Sequence, residues 1–126
     1  MIKKEGPGWR IIIDSSRDNF STLIGGENWA IELDKLEWEN LVHVVIDLSN
    51  QYKSVKDQLM GEEGITLELE RSPWLAILKG DKYGWNLKLI LSASGLLNRG
   101  AEVYWPRNVT NHVANAMRTM WDSGYL

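Results

Sequence analysis

Three features of the sequence predict an α+β fold, with antiparallel β-meander sheets and two packing helices. Short apolar runs alternating with a period of two recur between turn residues. An amphipathic stretch with apolar steps of three and four residues follows the runs in each half of the chain. The connections between runs are short, which suits antiparallel neighbours and excludes parallel crossovers. The densest stretch is Ile65 to Trp105, four β-runs leading into a final helix.

In chain order, GPG is a breaker ahead of Trp9–Asp14, where Trp9, Ile11 and Ile13 share one side of a strand. SSRDN is a turn cluster, and Phe20–Ile24 is a second run. Gly25-Gly26-Glu27-Asn28 reads as a hairpin loop whose glycines are free to take positive φ. Trp29–Leu33 returns as a third strand. Asp34 with Glu37 forms a capping-box pattern opening a helix that is expected to run to about Met60, where Gly61 ends it. Trp38, Leu41, Val42, Val45, Leu48, Tyr52, Val55 and Leu59 make its apolar stripe. A helix of roughly 39 Å would cross the whole domain. It must therefore lie along a broad sheet or reach a neighbouring subunit.

The second half repeats the plan. Ile65–Glu70 alternates strictly, Ser72-Pro73 turns the chain, and Trp74–Lys79 returns. Gly80–Gly84 is a loop, Trp85–Leu91 is the next strand, and SASGLLNRG is a longer connection. Ala101–Trp105 is the last strand, stopped by Pro106. Asn108 or Thr110 caps a final helix to about Asp122, with Val109, Val113, Ala116, Met117, Met120 and Trp121 as its stripe. The predicted order is β3-α-β4-α in one domain spanning 1–126, with pseudo-repeat halves of about 1–63 and 64–126. Of the seven tryptophans, Trp9, Trp29, Trp38, Trp85, Trp105 and Trp121 fall in core phase. Trp74, just after Pro73, is open to either side.

Composition narrows the function classes. The chain lacks cysteine, which removes disulfides, thiolate metal sites and a cysteine nucleophile. No signal peptide or membrane-length apolar run is readable, so a cytoplasmic protein without membrane contact is expected. Residues 1–63 carry 7 basic and 12 acidic side chains, and residues 64–126 carry 7 and 5. The net charge of −3 disfavours strong nonspecific nucleic-acid binding, which depends on neutralising phosphates.

Candidate chemistry is sparse. Glu39, His43 and Asp47 recur every fourth residue on the polar face of the first helix, where adjacent pairs are able to share a metal. A solvated face with a carboxylate–imidazolium contact explains the same spacing, and neither HExxH nor a second ligand cluster is present. His112 reads as a helical surface histidine, and Glu62-Glu63 and Glu68/Glu70 as surface carboxylates. The glycines match no phosphate-binding pattern. The sequence therefore offers no catalytic residue, no cofactor and no metal. For nucleic acid, which needs basic groups beside aromatic platforms, the candidates are Lys79, Lys82, Tyr83, Lys88, Arg99, Tyr104 and Arg107. On the outward strand phase Lys88, Asn86 and Tyr104 are accompanied by Glu68, Glu70 and Glu102. For a protein partner or self-assembly, Leu36 and Ile46 lie off the main helical stripe.

The blocks GPGWRIIID, IGGENWAIEL, LELERSPWLAILKGD, and WNLKLIL followed by RGAEVYWP resemble a small cyanobacterial family of unknown function, over nearly the whole chain. The resemblance implies a cyanobacterial source and an α+β fold. That fold is associated with a class of single-stranded-DNA-binding regulators in which β4-α units pair, as in the Whirly proteins of plants. This chain is read with one strand fewer in its first half. The family carries no known activity, so the resemblance assigns no catalytic residue. The expected function is a non-enzymatic binding module for an unidentified protein partner or for itself. The alternatives are single-stranded DNA or RNA binding, by analogy with the fold, and an undetected enzyme.

Overall fold

A computed structural model of the chain describes residues 1–92 and 99–124. Most of the connection expected over 92–100 therefore lies outside the described residues. Eight strands form two four-stranded antiparallel sheets, and a helix follows each. The first sheet is β1 (Ile2–Gly6), β2 (Trp9–Ile13), β3 (Thr22–Gly26) and β4 (Ala30–Leu33), in sequential order. Helix α1 (Lys35–Val55) leads through a 3-10 turn (Lys56–Gln58) to the second sheet. That sheet is β5 (Ile65–Arg71), β6 (Trp74–Asp81), β7 (Gly84–Leu91) and β8 (Ala101–Trp105), and α2 (Arg107–Asp122) follows it.

The α+β class and both helices agree with the sequence reading, but the first half holds a fourth strand. Ile2–Gly6 pairs along its whole length with β2, from Ile2 opposite Ile13 to Gly6 opposite Trp9. Its central residues, Lys3, Lys4 and Glu5, are exposed, so this edge strand shows no apolar alternation. The turn that creates it is Pro7-Gly8, with Gly8 at φ +80°, the signature of a type II turn. The segment GPG is thus a hairpin and not merely a breaker, and the order is β4-α-β4-α.

Gly25 and Gly26 also depart from expectation. They end strand β3, and Gly25 pairs with Ala30. Neither has positive φ. Their missing side chains make room instead. A Cβ at Gly26 would collide with the indole of Trp29, and a Cβ at Gly25 would meet Arg10 Cγ at 3.0 Å. The bare backbone at Gly25 also accepts a hydrogen bond from Trp105 Nε1 at 3.0 Å.

Helix α1 opens as its sequence dictates. Glu37 N donates to Asp34 Oδ1 at 2.8 Å, and Asp34 N donates to Glu37 Oε1 at 2.9 Å. The helix is shorter than expected, about 32 Å at 1.5 Å per residue. Beyond Tyr52 its stripe is no longer covered: Val55 is half-buried and Leu59 lies past the helical turns. Helix α2 begins earlier than expected, with Pro106 at the N-cap position. Thr110 does not cap the helix, because its hydroxyl donates to the Trp85 carbonyl at 2.8 Å.

Both helices cover the inner face of the second sheet. Leu78 opposite Leu87 and Ala76 opposite Leu89 form its central rows, and all four are buried. Four indoles, those of Trp74, Trp85, Trp105 and Trp29, send their N–H to another element. Trp74 Nε1 donates to the Glu37 carbonyl in the first turn of α1 at 2.8 Å. Trp85 Nε1 donates to Asn111 Oδ1 on α2 at 3.0 Å. Trp105 reaches β3 as described, and Trp29 Nε1 donates to the Tyr104 carbonyl on β8 at 3.0 Å. The rings of Trp29 and Trp105 lie 5.3 Å apart. Trp74, open to either side in the sequence, is therefore core, whereas Trp121, expected in the core, is 38% exposed. Trp38 Nε1 is buried with no partner among the described residues.

Two variants test this packing. Trp74→Ala is expected to cost about 3–5 kcal/mol, and Trp74→Phe, which removes the indole bond to a Glu37 carbonyl that the helix still occupies, about 0.5–1.5 kcal/mol; urea denaturation measures both. Gly26→Ala should cost about 1–3 kcal/mol through overpacking. Gly25→Ala should cost clearly less, because only the flexible Arg10 side chain has to move; equal losses would contradict the assignment.

Candidate functional site

Two surface regions gather polar chemistry. The first is the solvent-facing side of the second sheet. Its register sets out three rows: Thr66–Lys79–Asn86, then Glu68–Ile77–Lys88–Tyr104, then Glu70–Leu75–Ile90–Glu102. Glu68, Glu70 and Glu102 sit on the edge strands, and Lys79 and Lys88 on the central ones; all are exposed, while Leu75, Ile77 and Ile90 are only half-buried. An antiparallel sheet with one face in water normally alternates apolar-in with polar-out. Here β6 places Leu75 and Ile77 outward, beside Ile90 of β7. Tyr104 on β8, 48% exposed, stands opposite Lys88 and diagonal to Ile90. Among the described residues, a hollow of about 230 Å³ is lined by Ile77, Lys79, Asn86, Lys88 and Tyr104.

Of the seven residues singled out for nucleic acid, Lys79, Lys88 and Tyr104 meet at this hollow. Lys88 Nζ also sits 3.1 Å from Glu102. Lys82 and Tyr83 are exposed at the β6–β7 turn. Arg107 and Arg99 are engaged elsewhere. Arg107 Nη1 reaches both Asp81 oxygens, at 2.9 and 3.0 Å, and its side chain packs over Gly84, where a Cβ would lie 2.7 Å from Arg107 Cγ. The Asp81 carboxyl is held below its ordinary range by the Tyr83 N–H first and by Arg107 after it. Arg99 donates to the Glu32 carbonyl at 2.6 Å, pairs with Glu37 Oε1 at 3.2 Å and covers the Phe20 ring at 4.7 Å. Burial pushes the Glu37 carboxyl up, against the Asp34 N–H and Arg99, which pull it down.

The sequence reading missed Leu75, Ile77 and Ile90. The signal was present, because WLAILK and WNLKLIL carry apolar residues in both strand phases. A strand that is apolar on both sides within a sheet covered on one side exposes an apolar face.

The second region is a hollow of about 330 Å³ between the helices, lined among the described residues by His43, Ile46 and Asp47 of α1 and Arg118, Trp121 and Asp122 of α2. The His43 ring meets Trp121 edge-on, with centroids 4.0 Å apart. Glu39 Oε1 lies 3.9 Å from Lys35 Nζ, and Arg118 donates to Asn50 Oδ1 at 2.8 Å. Burial, and then the Arg71 cation, lower the His43 pKa, against Asp47 and Glu39, which raise it. The Glu39, His43 and Asp47 set is not gathered as ligands: among the described residues no group of three His, Cys, Asp or Glu side chains is placed to hold a metal ion. Leu36, off the main stripe, is 65% exposed, whereas Ile46 is half-buried. No helix among the described residues is long and apolar enough to cross a membrane.

Comparison with known proteins gives a family and no activity. No curated protein matches the chain. A solved structure from Prochlorococcus sp. NATL2A, described as a protein with unknown function from the DUF155 family, is 81% identical. The match covers 96% of this chain and 99% of that one, with a TM-score of 0.92. The model for a domain of unknown function, DUF1818, matches residues 4–120. The chain belongs to the DUF1818 family.

Proposed function

We propose that this protein is a non-enzymatic protein-binding module whose contact surface is the open face of the second sheet. The observation that carries this reading is the cluster of Leu75, Ile77 and Ile90 on the side of the sheet turned to solvent, bordered by Glu68, Glu70, Lys79 and Glu102, with Lys88 standing between Ile77 and Tyr104. An apolar centre inside a polar rim is the anatomy of a protein interface. The rim carries both signs of charge, which suits a protein surface of mixed charge. A phosphate backbone would meet three carboxylates beside two lysines.

A second reading, single-stranded nucleic acid, has one specific observation in its favour. Lys79, Lys88, Asn86 and Tyr104 surround a single hollow, where a base is able to stack on the tyrosine and a phosphate to reach the lysines. The interhelical hollow has a structural part in this account: it is where α2 closes over α1 through the His43–Trp121 contact.

Two measurements separate these readings. Replacing Tyr104 with a photo-crosslinking benzoylphenylalanine should give a discrete protein adduct in cyanobacterial extract. The same probe at Met60, 67% exposed and away from the face, should not; identical patterns at both positions contradict the protein reading. Labelled single-stranded DNA and RNA should show no anisotropy change at low salt. Salt-sensitive binding at micromolar or lower concentration, lost in Lys79→Ala and Lys88→Ala, would replace the protein reading with the nucleic-acid one.

The structural part of His43 has its own test. Its folded pKa lies below the ordinary 6.5, so the unfolded chain takes up this proton first as pH falls. The contribution of His43 is complete above about 6.5 and is lost as pH falls through the depressed folded value. Thermal melts between pH 5 and 7.5 should show this loss, and His43→Gln should flatten it. An unchanged profile in the variant would contradict the assignment.

A further inference from the structure

The four sheet edges differ in how they are closed. Strand β1 carries Lys3, Lys4 and Glu5 along its length, and charged residues of this kind discourage pairing. Strand β4 is only four residues long, and its Glu32 carbonyl is taken by Arg99 at 2.6 Å. Strand β8 meets the first sheet, where Trp29 binds the Tyr104 carbonyl and Trp105 binds Gly25. Strand β5 also carries charge, at Glu68, Glu70 and Arg71, but among the described residues it is neither short nor engaged along its open edge by another element. It is seven residues long, pairs in unbroken register with β6 on one side, and contains neither proline nor lysine. Among the described residues no hydrogen bond from another element reaches its backbone. Its inward residues Ile65, Leu67 and Leu69 stay half-buried, whereas Trp74, Ala76 and Leu78 of β6 are buried.

We infer that β5 pairs antiparallel with β5 of a second copy of this chain, joining the two second sheets into one of eight strands. The occupant is argued from the self-complementarity of the strand. Shifts of one residue are excluded, because they would set apolar side chains against polar ones across the sheet. Among the remaining registers, centring the pair on Glu68 opposes two Glu68 side chains, centring it on Leu69 opposes Glu68 to Glu70, and centring it on Thr66 opposes Glu62 to Glu70. Centring on Leu67 has no such conflict. It sets Leu67 against Leu67, Ile65 against Leu69, Thr66 against Glu68, and Arg71 against Glu63 of the second copy. The two Glu68 side chains then stand no closer than the diagonal distance of about 7–8 Å. This pairing covers the half-buried Leu67 and Leu69. It also places the two open faces side by side on one surface, and it stands whether or not those faces take a protein.

The test begins with the unaltered protein. Sedimentation equilibrium at micromolar concentration should return twice the 14.4 kDa chain mass. The chain has no cysteine, so single cysteines report the register. Leu67→Cys places two thiols opposite each other, within disulfide reach, and mild oxidation should convert it largely to a covalent dimer. Glu70→Cys should stay uncrosslinked, because this register separates the two positions by six residues along the strand, about 20 Å. A monomer at all concentrations overturns the inference. So does a dimer in which Leu67→Cys fails to crosslink, or in which Glu70→Cys crosslinks equally well.

Discussion

The structure depends on one requirement: a buried indole must find an acceptor for its N–H. Burying a tryptophan removes about 150–250 Å² from water, worth about 4–6 kcal/mol as an upper bound at roughly 25 cal/mol per Å². Leaving the N–H unpaired forfeits about 1–3 kcal/mol of that. Burial therefore drives the tryptophans inward, and the hydrogen bond decides where each ring stops. In this chain the acceptors lie on different elements. Trp74 fixes β6 to the start of α1, Trp85 fixes β7 to α2, and Trp105 and Trp29 fix β8 to the first sheet from both directions. A sliding helix or sheet would lose these bonds even if its apolar contacts survived. Trp38 is the exception, buried without a partner among the described residues.

Function follows from what this inward stitching leaves outside. The helices occupy the inner face of the second sheet, so the outward apolar residues of β6 and β7 find no cover within the described chain. Three half-buried aliphatic side chains and a half-exposed tyrosine then form a surface that differs from an ordinary solvated sheet face. The cationic residues with the best geometry for fixed contacts, Arg99 and Arg107, are spent on Glu37, Glu32 and Asp81. What remains on the open face is a mixture of lysines and carboxylates, better matched to another protein than to a polyanion.

Much of this was legible in the sequence, and the misses share physical causes. The strands of the second sheet and the capping box of α1 were readable because each is a local pattern: period-two alternation, and an acid three residues after an acid cap. Strand β1 was not, because an exposed edge built from Lys3, Lys4 and Glu5 has no apolar period to detect. Gly25 and Gly26 were read as conformational glycines, but their purpose is space for Trp29 and a bare carbonyl for Trp105, and both partners are fixed only by tertiary structure. Trp121 lies on the apolar stripe of α2 and is still part-exposed, beside a hollow where its ring meets the His43 ring of α1. At the candidate site, Lys79, Lys88 and Tyr104 were named for their chemistry. Leu75 and Ile77 were passed over because a sequence does not say which side of a strand its helices cover.

The central claim is that the tryptophan N–H groups hold the layers in register, and hydrogen exchange at those groups tests it most directly. Seven tryptophans give seven indole N–H resonances in a nitrogen–proton correlation spectrum, assignable by single substitution to phenylalanine. The account predicts that Trp74 and Trp105 exchange only through global unfolding, with the protection of the core backbone amides, while the part-exposed Trp121 exchanges rapidly. Exchange of Trp74 and Trp105 at rates near that of Trp121 would show that their bonds open independently of the fold, and would contradict the account.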